Sequence, residues 1–409
     1  MAKRAAMGPL APLFLTVFID LLGFGIAIPL LPFYAQRFGA APDTVTLVIA
    51  VYSLAQFVVL PFWGRLSDRI GRRRVLLVAL AGAVCANIWL AFVDSLVLLF
   101  VARAFAGCMA GNAGVAQAYV ADTTTAENRA RGHGIIGAAF GLGFLCGPAV
   151  GGLLAGAGSG EVDYRTPFLA AAALSAAAFL FAALRLPESV GAAQRAAAAT
   201  EKRRGRFAEI AEALRRPHLG LLVGLMFFTP FVFSGVETTF ALWSERALGW
   251  GPLENGYAYS FMGLVAVVVQ GRLAGPLSRR FGERRLVIAG PAIVAAGALA
   301  LPLIGGIAGV ALSLFLVVAG VCIVGPALMS LTSQRAGSHE RGRVLGYSQA
   351  SGGLARILGP AWAGYGFVAV GRDWPYFSGA AVMAVMVVLA LRIARPVENA
   401  AGEGAAPGA

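Results

Sequence analysis

Long apolar stretches recur along this 409-residue chain, at 10–33, 44–63, 75–93, 95–119, 132–157, 167–186, 218–243, 255–275, 286–304, 308–331, 343–369 and 376–394. A run of about 18 apolar residues crosses roughly 30 Å of hydrocarbon as a helix, whereas a barrel strand needs only about 10. Inside hydrocarbon a chain must satisfy its own backbone, so runs of this length leave the α-helix as the workable form. The pattern predicts an all-α membrane protein with twelve transmembrane helices. Composition agrees where it bears on that reading, because only 13% of the residues are charged, about half the share usual in soluble domains. The first span follows Lys3 and Arg4, yet it is too long for a signal-peptide core and no small-residue cleavage site precedes the second span.

A net charge of +13 and a pI near 10.3 would point to nucleic acid in a soluble protein. Here the positive-inside rule accounts for it, and no nucleic-acid partner is expected. With both termini placed in the cytoplasm, Arg37, Arg165, Arg246 and Arg372 are the only basic residues on the outer side. Arg103 and Arg356 fall inside spans, and the rest of the 33 Lys and Arg lie on the cytoplasmic side. The expected location is the inner membrane of a bacterium, with the lipid bilayer as the surrounding partner.

The longest polar stretch divides the chain. We expect a six-helix half over 1–187, a basic cytoplasmic linker over 188–217, a second six-helix half over 218–396 and a disordered tail over 397–409. Phe207, Ile210 and Leu214 share one stripe within the linker, which fits either a short helix lying on the membrane surface or a solvated tether. The halves also repeat. GRLSDRIGRRR at 64–74 pairs with GPLSRRFGERR at 275–285, and NRARGHGIIGAAFGLGFLCGPAVGG at 128–152 pairs with ERGRVLGYSQASGGLARILGPAWAG at 340–364. Two long matches at almost one spacing indicate internal duplication, and parallel repeats in transporters enclose a substrate site near the bilayer midplane.

Nothing in the chain reads as bond-breaking chemistry. Cys85, Cys108, Cys146 and Cys322 have no metal or disulfide spacing, and His133, His218 and His339 sit near helix ends. No cofactor or metal is expected and the protein is not expected to be an enzyme. What stands out instead is charge inside apolar runs. Asp20 in the first span and Glu237 in the seventh are the two acids well within them, with Arg103 in the fourth and Arg356 in the eleventh. An ionised side chain at bilayer centre costs about 2.5–3.5 kcal/mol on insertion scales, and such residues usually mark pathways or proton relays.

Several stretches carry a family pattern. Gly64-x-x-x-Asp68-Arg69-x-Gly71-Arg72-Arg73 follows the second span. We expect Gly64 to end a helix and Asp68 to cap the start of another. Arg72 stands within reach of Asp68 and of Asp122, at the end of the fourth span. The repeat has Arg279 in the place of Asp68, so a second copy of this arrangement should be weaker or absent. Gly143-x-x-x-Gly147-Pro148-x-x-Gly151-Gly152 occupies the fifth span, where glycines permit close helix contact and a proline bends the helix. Arg103-x-x-x-Gly107, the short Pro187-Glu188-Ser189, and Asp20-x-x-Gly23-x-Gly25-x-x-x-Pro29-x-x-Pro32 complete the set.

Over essentially its whole length the chain resembles the major facilitator superfamily, and within it the drug:proton antiporters of the tetracycline-resistance type. The resemblance implies two pseudo-symmetric six-helix halves working as a monomer. It implies a conformational latch in Gly64, Asp68, Arg69, Gly71, Arg72, Arg73 and Asp122. It implies an antiporter signature in Gly143, Gly147, Pro148, Gly151 and Gly152, and a part for Arg103 in proton coupling. The first, fourth and seventh helices line the central cavity of such proteins, so Asp20, Arg103 and Glu237 are expected to meet there. Pro187-Glu188-Ser189 is also similar to a sugar-porter motif, but it is short and widely shared. The acids that the tetracycline type carries in its third and ninth helices are missing. The third span has Asn87, with Asp94 only at its outer end.

Asp20 and Glu237 are thus the candidates for taking up a proton in competition with a substrate. The alternative for Asp20 is a buried ion pair with Arg103 that merely joins helices. Arg356 has three readings: a partner for a cavity acid, a contact for an anionic group, or a snorkelling side chain. Gln56, Asn112, Gln117 and Gln270 are further polar candidates, and Phe233 heads an aromatic run (Phe227, Phe228, Phe231, Phe240, Trp243) around Glu237 that suits a lipophilic cation. The expected function is proton-coupled export of lipophilic cationic or neutral small molecules by alternating access. A metabolite or sugar transporter, including a symporter, is the first rival, and a non-transporting membrane scaffold or sensor the second.

Overall fold

A computed structural model of the protein describes residues 10–125, 128–156, 162–191, 217–335 and 341–392. Among them there are helices and no strands. The first half holds α1 (Leu10–Ala27), α2 (Leu31–Arg37), α3 (Pro42–Ile70), α4 (Arg72–Ala91), α5 (Leu96–Met109), α6 (Asn112–Thr123), α7 (Arg129–Gly156) and α8 (Arg165–Arg185). The second holds α9 (Pro217–Leu248), α10 (Pro252–Val268), a π turn (Val269–Leu273), α11 (Ala274–Phe281), α12 (Glu283–Ile304), α13 (Gly306–Arg335), α14 (Arg341–Ala369) and α15 (Trp374–Leu391). Beyond Gly191 the linker, with its expected surface helix, lies outside the described residues, as does the tail.

Eleven helical segments are long and apolar enough to cross a bilayer, counting α5 with α6 and α10 through α11 as one crossing each. The twelfth expected span is α14, 29 residues long, or about 44 Å at 1.5 Å per residue. Its many glycines and Arg356 lower its hydropathy, and it packs on α3 and α9. The chain is a multi-pass membrane protein.

Local chemistry sets the helix ends. Prolines open α3, α10 and α15 in the first turn, where a missing N–H costs nothing. At the two repeat loops the chain turns on Gly71 (φ 107°) and Gly282 (φ 76°), equivalent positions in the left-handed region that side chains avoid. Gly64, by contrast, does not end a helix. It lies within α3, exposed, with open space where a Cβ would point. The terminator is the glycine whose φ must be positive, which is Gly71.

In the first half α1 packs on α7 and α8, α4 on α8, and α3 on α5; in the second α12 packs on α13 and α15, and α9 on α14 and α15. The halves meet where α7 lies on α10 and α3 on α14. At the face bearing residues 38–41 and 249–251, one apolar core runs unbroken from Tyr34, Leu90 and Phe168 of the first half into Trp243, Tyr259 and Tyr376 of the second. Gln36 Nε2 also donates to Glu245 Oε2 across the halves, at 2.7 Å. At the opposite, basic face the first half keeps a separate cluster that includes Leu76, Tyr119 and Leu186. No described glycine closer to the basic face than Gly141 touches the other half.

A buried polar site between the halves

The signature glycines of α7 sort onto two faces. Gly143, Gly147 and Gly151 recur at one-turn spacing toward α1, where a Cβ on Gly25 would stand 3.0 Å from both the Gly143 carbonyl oxygen and the Gly147 Cα. Gly152 faces α10 instead, where its Cβ would lie 2.7 Å from the Pro252 carbonyl oxygen and 3.1 Å from the Gly256 Cα. Gly256 in turn abuts the Pro148 carbonyl. A contact this close is open only to residues without a side chain. It brings α1 and its Asp20 close to the boundary between the halves.

The fourth crossing is not continuous. It breaks between α5 and α6, at Ala110 and Gly111, and the break frees carbonyls that hydrocarbon would leave unpaired. Two side chains of α3 satisfy them: Trp63 Nε1 donates to the Cys108 carbonyl at 2.7 Å and Gln56 Nε2 to that of Ala110 at 3.0 Å. Gln56 is therefore committed to the backbone. Asn112, the first residue after the break, donates from Nδ2 to Asp20 Oδ2 at 2.8 Å. Asp20 does not pair with Arg103.

Arg103 is only 4% exposed. Its guanidinium lies 4.4 Å from the ring centroid of Tyr52, the geometry of a cation–π contact, and its Nε has no hydrogen-bond partner. Tyr52 is thus the residue the sequence reading overlooked. Asp20, Arg103 and Arg356 all lie within electrostatic reach of it, and it packs on Phe24 with centroids 5.4 Å apart. Its signal was present, since Tyr52 and Gln56 stand one turn apart in an otherwise apolar span.

From the second half, Arg356 of α14 lies within reach of both Glu237 and Tyr52. Neither Glu237 nor Arg356 forms an ion pair among the described residues. Phe233 is one turn before Glu237 and half-buried. The other aromatics are mostly occupied: Phe240 packs edge-on against Trp250 and Tyr259, Phe231 lies on Trp362, and Trp243 donates to Asp373 Oδ1 at 2.6 Å. Gln117 is exposed, and Gln270 in the π turn donates to Cys322 Sγ at 3.2 Å.

A second polar cluster holds the basic face. Arg72 bridges Asp68 at 2.6 Å and Asp122 at 3.0 Å, and Arg72 Nη1 donates to Ser67 Oγ at 2.5 Å. Arg73 donates to the Ala183 carbonyl, while Arg69 is exposed. Asp68 caps no helix, because it lies inside α3. Glu188 is the cap: its Oε1 accepts from the backbone N–H of Arg72 at 2.8 Å and of Arg73 at 3.4 Å. A Cβ at position 71 would collide with that carboxylate. Ser189 Oγ donates to Asp122 at 3.3 Å, and Tyr119 donates to the Pro187 carbonyl at 2.8 Å. The Pro187-Glu188-Ser189 stretch, set aside as too short to weigh, completes the cluster.

The model describing the Major Facilitator Superfamily matches residues 13–360 and 273–408. The chain is 30% identical over 364 residues to the tetracycline resistance protein, class E, of Escherichia coli, covering 88% of this chain and 87% of that protein. Multidrug resistance protein 2 of Bacillus subtilis (strain 168) is 28% identical over 349 residues, covering 85% and 86%. The crystal structure of the human organic anion transporter MFSD10 (TETRAN) superposes with a TM-score of 0.70 at 22% identity, covering 94% of this chain and 99% of that one, which establishes a shared fold.

Proposed function

The chain belongs to the major facilitator superfamily, and from that premise we propose that it exports lipophilic small molecules by alternating access, driven by inward proton flow. Its relatives are named for resistance to tetracycline or to multiple drugs, and outward transport of the drug is the activity by which a membrane transporter would confer it. The observation that carries the reading is the gathering, deep in the bundle, of Asp20, Arg103 and Arg356 around Tyr52, with Glu237 of the second half within reach of Arg356. Intramembrane ionisable groups of this kind are expensive to keep and serve pathways or relays.

In this reading Asp20 and Glu237 are the proton carriers. Asp20 is positioned by Asn112 from the broken fourth crossing, and Glu237 sits one turn from Phe233 and within the field of Arg356. Protonation of either acid alters the charge offered to a substrate, so proton and substrate compete. Arg103, held on Tyr52, keeps a fixed positive charge beside that ring. The Arg72 cluster steadies the basic face of the first half, and the α7–α10 glycine contact is where one half moves over the other. The protein works as a monomer in a bacterial inner membrane, with both termini and the basic loops in the cytoplasm.

The test uses inside-out vesicles with an acid interior. Lipophilic antibiotics and dyes added outside should trigger proton efflux in the wild type. Asp20→Asn or Glu237→Gln should reduce that efflux at least about tenfold while the variant still inserts and folds. Full proton-driven transport in both variants would remove the carboxylates from the mechanism. Efflux triggered by no compound of the panel would reject proton-coupled export.

A further inference from the structure

The face that α14 turns to the interior bears on the charge of the exported molecule. Leu358, Tyr365 and Val368 are 44%, 71% and 52% exposed and form the outward stripe of this helix. Gly353 and Gly364 face α3, against Phe57 and Thr46, while Gly359 faces α9 against Phe231. At about 100° per residue, Arg356 falls between the α3 row and the α9 row, roughly opposite the outward stripe. Its side chain is exposed, so it opens into the space between the halves and not toward lipid. It makes no hydrogen bond or ion pair among the described residues, although Glu237 and Tyr52 lie within electrostatic reach.

Arg103 gives the contrast. It comes from the other half, is almost wholly buried, and already lies against the face of Tyr52. What sets it apart is its burial against that ring, which shuts its donors away from a ligand arriving between the halves. Arg356 presents its planar fork of donors unoccupied, halfway along a 29-residue helix, in surroundings where a charge-assisted pair is strong. Phe57, set against Gly353 one turn away, supplies an apolar neighbour. Asp20, the acid of the first half, accepts a bond from Asn112.

We propose that Arg356 receives an anionic group of the substrate, so that the exported class is lipophilic anions and zwitterions rather than permanent cations. The assignment rests on the export reading above and replaces the lipophilic cation expected from the aromatic run, whose Phe240 and Trp243 are packed away. A sulfonate, carboxylate or enolate meets the two parallel donors of the guanidinium, while its apolar body lies along neighbouring aromatic rings.

Three pyrene compounds with one butyl chain test this, ending in a sulfonate, an alcohol or a trimethylammonium group. Accumulation is read as fluorescence in acid-interior, inside-out vesicles, above that in vesicles lacking the protein. The sulfonate should accumulate at least about tenfold faster than the trimethylammonium compound. Arg356→Gln should reduce sulfonate transport at least about tenfold and alcohol transport less than about threefold, with Arg356→Lys restoring part of the loss. If Arg356→Gln fails to fold, wild-type selectivity across the three compounds decides. Equal or better transport of the trimethylammonium compound, or unchanged sulfonate transport in Arg356→Gln, overturns the proposal while leaving export intact. Accumulation of none of the three overturns it as well, and the antibiotic panel then shows whether export itself survives.

Discussion

The two copies of the basic-face loop share a backbone and differ in the sign of their charges. Both turn on a positive-φ glycine, Gly71 and Gly282. Arg72 in the first copy corresponds to Glu283 in the second, and Asp68 corresponds to Arg279. Arg72 binds two carboxylates and the Ser67 hydroxyl. Glu283 accepts from the hydroxyls of Ser278, the counterpart of Ser67, at 3.3 Å, and of Ser330 on α13 at 3.1 Å. No ion pair joins Arg279 and Glu283 among the described residues. Among the described residues the duplicated loop therefore kept its hub position while exchanging ion pairs for hydroxyl donors around one carboxylate. The second copy is thus not simply missing a latch, as Arg279 alone led us to expect.

Because the first hub joins three elements through charge, breaking it should have the largest effect. Arg72→Ala leaves Asp68 and Asp122 facing each other, at side-chain exposures of 28% and 24%. With solvent screening, a loss of about 1–3 kcal/mol is expected. It should be seen as a lower midpoint of thermal unfolding in detergent and at least about tenfold slower transport. Glu283→Ala should cost about 1.5 kcal/mol, the low end for hydrogen bonds to a charged group, since both bonds are long. Equal losses in the two variants would erase the distinction between the copies.

Glu188→Ala should come next, at about 1 kcal/mol, because it uncaps α4. Its loss should shrink in 1 M salt less than that of Arg72→Ala, since bonds to the backbone are screened less than exposed ion pairs. Asp163, on the opposite face, is a reference for a cap without an ionic hub. Its Oδ1 accepts from the backbone N–H of Arg165 at 2.8 Å and of Thr166 at 3.2 Å. Bonding from the Thr166 hydroxyl first, and then from these backbone groups, holds its carboxyl below the ordinary value of 3.8. A depressed pKa stabilises the fold above that ordinary value and loses its contribution as the pH falls through the lower, folded one. The difference in thermal midpoint between wild type and Asp163→Asn should therefore be full at neutral pH and shrink below about pH 3.8. The double change Arg279→Asp with Glu283→Arg writes the first copy's charges into the second. The gain should be smallest, about 0.3–0.5 kcal/mol for an i,i+4 pair, and a midpoint that fails to become salt-sensitive would show that geometry, not charge, separates the copies.

The spans, the duplication and the membership of Arg72 in a charged cluster were legible because hydropathy and charge spacing are properties of neighbouring residues. Family and export class were legible in the same way, from motifs held at fixed separations. What escaped depends on residues far apart in the chain. The break at Ala110 and Gly111 carries no proline, and it stands because Trp63 and Gln56, on another helix, satisfy its carbonyls. Glu188 caps a helix that begins 116 residues earlier. Gly64 looked like a terminator because glycine often is one, yet helix ends follow positive φ, which Gly71 supplies. Spacing alone leaves an Asp20–Arg103 ion pair open as the alternative, and it is Asn112 that bonds Asp20 and Tyr52 that lies under Arg103.

Between α7 and α10 the surfaces of Gly152 and Gly256 meet main chain to main chain, and the facing row includes Gly263 against Phe144 and Leu145. Interlocked side chains act as teeth, and sliding past them means lifting each out of its socket. Backbone contacts at the middle of the seam leave few teeth to disengage, with Val267 against Gly141 and Leu253 against Gly156 toward its ends. In the export reading the seam is a bearing of low friction, so the effort of tilting one half over the other is set by the apolar core and the Gln36–Glu245 bond at the face opposite the basic one.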